Sequence, residues 1–381
     1  MTKLLVTSDW HLSDRIWKHR PIEGDSYAAC HYICDWAFEN GVTHVIIAGD
    51  ILDKQRNNST AIHHLTTNLE MLTDAGIKVY FNQGQHCMQE QPWPLLVPGV
   101  VHLKLGDVHN IGDLMVGGFD FCHKEQLQVY LKSDPVKELD MLVCHQVWHD
   151  FMGDVGNPQG CFADVPDNIS TIITGDYHEA ICQGYAGKVV LSPGSTHLRS
   201  ISEPVDKSFY VCDFNSQTFA RSVSIPTRRA YSITADSTPE ELDSKIDGCI
   251  AMNNQYWVEN KLLPEHRVDD PVRTKSGIYT PLIRIIHDAG SFDQGCQKVV
   301  AKYENDAHFF YKAVKPEENK DLEILEHVDA GDRLRMVDCL NAAVDPQDKP
   351  LVHSLATALL GSGEPEEILK LWVKEQTDAG K

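Results

Sequence analysis

Lys3-Leu4-Leu5-Val6-Thr7-Ser8-Asp9-Trp10-His11 is the stretch that decides the fold. Its apolar run at 3–7 is short, and a polar Ser8-Asp9 follows at once. That pattern reads as a buried strand ending in a turn. The turn carries two groups, Asp9 and His11, able to hold a metal. The same pattern recurs along the chain. Runs at 43–48, 77–81, 139–144 and 170–174 also read as strands. They lead into Gly49-Asp50, Gly84-Gln85-His86, His145 and Gly175-Asp176-Tyr177-His178. Helical patterns at 25–40 and 59–75 lie between the early strands, the second stopping at Gly76. Alternation of this kind predicts a layered α/β domain. In open α/β sheets, ligands bind beyond the carboxyl ends of the strands. Groups far apart in sequence are therefore expected to converge on one crevice.

The types of group limit the chemistry. Asp, His and an amide oxygen, with no thiolate, suit manganese, magnesium or iron better than a structural zinc site. Seven residues, Asp9, His11, Asp50, Gln85, His145, Asp176 and His178, exceed what one ion needs. With Asp50 bridging, each of two ions would take four protein ligands and keep room for water. Two such ions lower the pKa of bound water and stabilise both oxygens of an in-line displacement at phosphorus.

The full chain has 381 residues, enough for two or three domains. Hydrophobic residues make up 42% and charged residues 23%, so a large core is available and wholesale disorder is excluded. No apolar stretch is long enough for a membrane span. The run at 3–7 is too short for a signal peptide. The 11 cysteines include no CxxC pair, which points to a reduced, cytoplasmic protein. The formal charge of −21 repels bare nucleic acid at long range. Fourteen of the 19 histidines precede residue 200, which again places the metal chemistry in the first domain.

Near Ile225-Pro226-Thr227 the pattern changes. The segment 230–234 reads as a strand. Thr238-Pro239-Glu240-Glu241 then opens a helix, with Thr238 as N-cap. A strand at 279–287, a helix at 292–303 and a strand at 308–314 complete a smaller α+β unit. Beyond Pro316 the chain is acidic, with 15 Asp/Glu against 7 Lys/Arg, and reads as short helices divided by prolines. The expected layout is thus 1–226, 227–316 and 317–381. Leu351, Leu355, Leu359, Ile368, Leu369 and Trp372 give the tail apolar faces that suit a partner surface.

Taken together, the motifs resemble those of the calcineurin-like metallophosphoesterase superfamily, and most closely the SbcD-type recombination nucleases, particularly bacteriophage versions. Ser8-Asp9-Trp10-His11-Leu12, Gly49-Asp50-Ile51-Leu52-Asp53 and Pro193-Gly194-Ser195-Thr196 carry the likeness. It covers roughly the first 200 residues, and the rest matches in layout only. The resemblance implies a metallophosphoesterase sandwich with a capping domain and a helical tail. It implies manganese-dependent 3′-to-5′ exonuclease and single-strand endonuclease action on DNA, with two Mn2+ ions (Mg2+ as an alternative). It also implies an SbcC-like ATPase partner and a homodimer, whose surface here would include Trp93-Pro94-Leu95-Leu96.

Carried over by motif, the first ion takes Asp9, His11, Asp50 and His178, and the second takes Asp50, Gln85, His145 and Asp176. His86 would contact the phosphate or protonate the leaving oxygen, and Asp53 would orient His86. Two positions depart from the family pattern. Its Gly-Asn-His-Asp is Gly84-Gln85-His86-Cys87 here, and its Gly-His-x-His is Gly175-Asp176-Tyr177-His178. Both keep a ligand atom, and Asp176 hardens the site toward manganese or magnesium.

Other residues admit plainer readings. His197, after the Pro193-Gly194-Ser195 loop, is an expected phosphate contact. His149 could support His145, and His63-His64 reads as a surface feature. Arg228-Arg229 is either a domain-junction salt bridge or a DNA contact. Two further functions stay open: a small-molecule phosphodiesterase or phosphatase, which the −21 charge favours, and a degenerate scaffold subunit. The family's phosphoprotein phosphatases carry Arg after the second motif, where Lys54 stands here.

Overall fold

A computed structural model describes residues 2–13, 24–153, 157–185, 187–213, 220–235, 238–260, 278–288 and 292–314. The tail expected over 317–381 lies outside the described residues.

Strands β1 (Lys3–Thr7), β2 (His44–Ala48), β3 (Lys78–Asn82) and β4 (Val100–His102) run parallel in one sheet. Strands β5 (His109–Ile111), β6 (Leu114–Gly118), β7 (Met141–His145), β8 (Thr171–Gly175), β9 (Ile181–Tyr185) and β10 (Lys188–Ser192) form a second sheet. Its strand order is β5-β6-β7-β8-β10-β9, with β6, β7, β8 and β10 mutually parallel. Strands β11 (Lys207–Asp213) and β12 (Ala220–Ile225) return to the first sheet antiparallel, completing the order β12-β11-β1-β2-β3-β4.

Alternation along β1 shows how the layers stack. Leu4 and Val6 face the second sheet and pack with Met141, Val143, Ile173 and Leu191. Leu5 faces the other way, onto α1 (Asp25–Glu39) and α2 (Ser59–Asp74) through Cys30, Ile33, Leu65 and Leu69. A period of two puts successive side chains on opposite faces, so one apolar run feeds two cores. On the far side of the second sheet, Leu142, Cys144 and Ile172 pack against Trp148, Phe162 and Leu127 of α3 (Lys124–Leu131). The result is a helix–sheet–sheet–helix sandwich. Asn58 caps α2 by accepting from the Ala61 N–H at 2.8 Å, and the helix ends before Gly76, whose φ is +78°.

The short helices α4 (Asp134–Lys137) and α5 (His149–Met152) flank β7. After β12, strands β13 (Ala230–Thr234), β14 (Leu282–Asp288) and β15 (His308–Val314) form a separate three-stranded sheet. All its pairings are parallel, with α6 (Pro239–Asn260) and α7 (Gln294–Lys302) preceding its second and third strands. The Glu241 N–H donates to Thr238 Oγ1 at 3.4 Å at the start of α6.

Of the two readings of Arg228, the structure shows the ion pair. Its guanidinium donates twice to Asp25, at 2.8 and 2.6 Å, and once to the Thr280 carbonyl, with both ionic partners buried. Removing one member of such a pair leaves an uncompensated buried charge, which costs about 3–5 kcal/mol. Arg229 pairs with Asp206 at 2.9 Å and lies over the Tyr256 ring.

Candidate metal centre

The turns after β1 and β2 are laced together. The Asp9 N–H donates to Gly49 O at 3.2 Å, His11 N–H to Asp50 O at 2.8 Å, and Leu12 N–H to Ile51 O at 2.9 Å. This lacing fixes Asp9, His11 and Asp50 against one another. It also forces unusual backbone. Asp9, His11, Asp50 and Asp176 have φ of +51°, +41°, +43° and +78°. Left-handed conformation in such residues costs on the order of 1–3 kcal/mol each and persists only where surroundings impose it. Glycines make room beside them: a Cβ on Gly84 would sit 2.2 Å from Asp50 Oδ1.

The second sheet supplies the other side. His145, at the end of β7, is fully buried, and its Nδ1 bonds Ala48 O on the first sheet at 2.8 Å. Because a carbonyl only accepts, Nδ1 carries a proton, which leaves Nε2 as the nitrogen turned into the crevice. That Nε2 has no hydrogen-bond partner and lies 3.3 Å from Asp50 Oδ2, 3.8 Å from Asp176 Oδ1 and 3.9 Å from Asp9 Oδ1. On the other flank, Asp9 Oδ1 lies 3.6 Å from His11 Nε2 and 3.8 Å from His178 Nε2. Asp50 Oδ2 is 3.8 Å from His11 Nε2, so this carboxylate faces both flanks. Asp9-His11-His178 and Asp9-Asp50-His145 each bring three ligand atoms close enough to hold an ion.

Gln85 and Asp176 meet through a bond from Gln85 Nε2 to Asp176 Oδ1. The Gln85 amide oxygen is buried and unpartnered. The seven expected ligands therefore gather around one crevice. Electrostatics fit a cation too. Burial alone would lower the His145 pKa, but Asp50, Asp9 and Asp176 overcome it and raise it to about 10. A divalent ion would answer the same negative charge. Asp9 is raised, chiefly by burial, against the pull of His145 and His178. Burial likewise raises Asp50, but His145 and His86 outweigh it and hold this carboxyl below its ordinary value.

His86 stands at the mouth, 39% exposed, with Nε2 4.0 Å from Asp50 Oδ2 and its N–H donating to Asp50 Oδ1 at 3.0 Å. Its ring is edge-on to His11, with centroids 5.2 Å apart. Asp53, expected to orient His86, instead accepts from Arg199 Nη2 at 2.8 Å and lies 3.7 Å from His11 Nδ1. Among the described residues no bond joins it to His86, because the turn at 49–53 points its carboxylate toward the loop after β10. His197, the expected phosphate contact, is fully buried, with Nε2 unpartnered. Burial and then Arg199 push its pKa down to about 3. His149 is exposed on α5, and His64 stacks on Tyr27 with centroids 4.1 Å apart.

Sequence reading missed two residues here. Arg199 Nη1 donates to His11 Nε2 at 3.1 Å. Glu203 accepts from His178 Nδ1 at 3.0 Å and from Lys207 Nζ at 2.9 Å, so Nε2 of His178 faces the crevice. Both follow the Pro193-Gly194-Ser195 loop, whose likeness was noted without its charged residues.

No protein-family model matches the sequence. The DNA double-strand break repair protein Mre11 of Methanosarcina acetivorans is 25% identical over 252 residues, covering 63% of this chain and 41% of that protein. The Mre11 repair protein of Thermoplasma acidophilum is 26% identical over 220 residues, covering 51% of this chain and 56% of that protein. The chain thus spans about half the length of the curated relatives it matches. Among solved structures, the phosphoesterase Yfce from E. coli overlaps 59% of this chain and 100% of its own, at 16% identity and a TM-score of 0.34, too low to bear on function. The chain is thus similar, at 25–26% identity and over 51–63% of its own length, to Mre11 repair proteins.

Proposed function

We propose that this chain is a divalent-metal-dependent DNA nuclease of the SbcD type, hydrolysing phosphodiesters with two manganese ions, or magnesium in their place. The observation that carries this reading is the buried, unpartnered Nε2 of His145 set among three carboxylates. Asp9, His11, Asp50 and His178 would hold one ion, and Asp50, Gln85, His145 and Asp176 the other. Bound there, two divalent ions supply an acidified water and charge stabilisation for the attacking and leaving oxygens. The chain's own residues do the rest. Asp9 and Asp50 are buried at the floor, beyond the reach of bulk water. His86, the exposed imidazole at the mouth, holds a proton at Nε2 for the leaving oxygen.

The finer reading adds 3′-to-5′ exonuclease and single-strand endonuclease action in the cytoplasm. It adds an SbcC-like ATPase partner docked by 317–381 and a homodimer through the surface of Trp93–Leu96, where Leu95 and Leu96 are exposed. The unit at 227–316 would cap the nuclease domain at 1–226. Most of the basic DNA-contacting surface would come from the partner, since the chain itself is strongly acidic. That acidity also favours the second reading, a phosphodiesterase for small substrates. One assay separates them: manganese-dependent cleavage of labelled DNA and of a generic phosphodiester, with and without the ATPase. DNA cleavage that Asp50→Asn abolishes without unfolding the protein is expected. Cleavage of the generic ester alone would give the second reading, and near-normal cleavage by Asp50→Asn would overturn the metal assignment.

A further inference from the structure

We propose that Arg199 and the first metal ion compete for Nε2 of His11, which makes Arg199 a displaceable placeholder that keeps this ligand ready and sets the affinity of its site. The inference rests on the two-metal reading above and deepens it. Arg199 Nη1 lies 3.1 Å from His11 Nε2. A guanidinium only donates, so His11 must accept at Nε2. The ring proton is thereby assigned to Nδ1, which faces Asp53 Oδ1 at 3.7 Å and has no hydrogen-bond partner. This is the tautomer that a metal ligand bonding through Nε2 needs.

The same Nε2 is the nitrogen turned toward Asp9 Oδ1, at 3.6 Å, and Asp50 Oδ2, at 3.8 Å. One lone pair serves one partner at a time, so Arg199 has to release it before it can accept a cation. A fixed positive charge beside that position also repels a divalent ion. Arg199 is braced where it stands. Its Nη2 donates to Asp53 at 2.8 Å and its backbone N–H to Glu203 Oε2 at 3.1 Å. Release therefore breaks one hydrogen bond and leaves the Asp53 contact as a pivot. His11 is 1% exposed, and an unpartnered Nε2 there would be a costly buried acceptor. The Arg199 guanidinium removes that cost by donating to it.

The sign of the effect separates this role from simple support. Losing a supporting residue loosens metal, whereas losing a competitor tightens it. The experiment is calorimetric titration of the metal-free full-length protein with manganese(II) alone, for wild type, Arg199→Met and Arg199→Gln. The wild type should bind two ions in unequal steps. Both variants should tighten the weaker step by at least about tenfold, given the charge removed. Arg199→Gln can still donate to Asp53, so it serves where Arg199→Met fails to fold. If the wild type binds manganese but neither variant tightens it, the competition is overturned and the metal reading stands. If the wild type binds no manganese, both fall together.

Discussion

The sandwich and the unit spanning 230–314 are both built from parallel strands and helices, and they differ in what stands at the described ends of their strands. In the smaller unit, β13, β14 and β15 end at Thr234, Asp288 and Val314, and the core beneath is apolar: Leu242, Ile246, Ile283, Ile285 and Phe309. In the sandwich, β1, β2, β7 and β8 lead within a few residues into Asp9, Asp50, His145 and Asp176, three of them in left-handed conformation. A parallel sheet therefore offers a rim and no more. What makes this rim a site is a set of strained turns and small residues that let carboxylates and imidazoles approach within 4 Å of one another. The two regions also differ in what a methyl group meets. A Cβ on Gly49 would lie 2.1 Å from His145 Nδ1, while one on Gly248 in α6 would meet nothing within 4 Å.

The largest expected effect comes from closing that gap in the sandwich. Gly49→Ala forces a methyl into an imidazole that cannot retreat, because His145 is bonded to Ala48 O. Its φ of +82° adds strain for any side chain. Overpacking and left-handed strain together should cost on the order of 3–5 kcal/mol. Urea unfolding should show this as a lower midpoint with an unchanged slope. A loss below about 1 kcal/mol would mean that the two sheets are not held this closely at the rim.

How far the sequence disclosed this contrast depends on the kind of residue. β1, β2, β3, β7 and β8 were legible because each is an apolar run stopped by a polar turn, and each was placed to within about two residues. β9 was not, since Cys182, Gln183 and Gly184 at its centre are exposed on an edge strand. β11 was not either, although it is almost wholly buried. It opens on Lys207 and Ser208, two polar residues that interrupt an apolar pattern. Only the Glu203 and Ser195 partners of Lys207 explain its burial. The candidate ligands were legible as short motifs at strand ends. Arg199 was not, because its partner His11 lies 188 residues away and a lone arginine in a loop has no period. The same loop drew Asp53 away from the role its motif suggested.

A smaller effect should follow pH. His197 is fully buried, and burial, with Arg199, lowers its pKa from 6.5 to about 3. The unfolded chain takes up this proton below the ordinary value, while the folded protein refuses it down to the depressed one. Its contribution is thus fully present above the unfolded pKa and is lost as pH falls toward the folded one, by up to about 1.4 kcal/mol per pH unit. The expected readout is the difference in unfolding free energy between pH 7.5 and pH 5. His197→Gln should show a shallower loss than wild type. Parallel losses in the two proteins would mean that His197 titrates normally and is not sealed beneath the site.

The smallest effect has the opposite sign, which makes it the sharper check on the comparison. Gly248 sits on the exposed face of α6 between the buried Ile246 and Cys249. Glycine in a helix interior costs about 0.5–1 kcal/mol relative to alanine, because the unfolded chain has more backbone freedom to lose. Where a Cβ meets nothing, alanine recovers that amount without a new contact. Gly248→Ala should therefore stabilise α6, read as slower amide hydrogen exchange along 242–256 with the sandwich amides unchanged. If exchange slows equally in both regions, they open as one unit, tied through the buried Arg228–Asp25 pair. If α6 exchanges faster instead, the face around Gly248 is not open, and a methyl there meets a surface that the isolated chain does not show. The same substitution, glycine to alanine, would then fail in both regions, and the distinction between a rim that tolerates no side chain and a helix face that welcomes one would be lost.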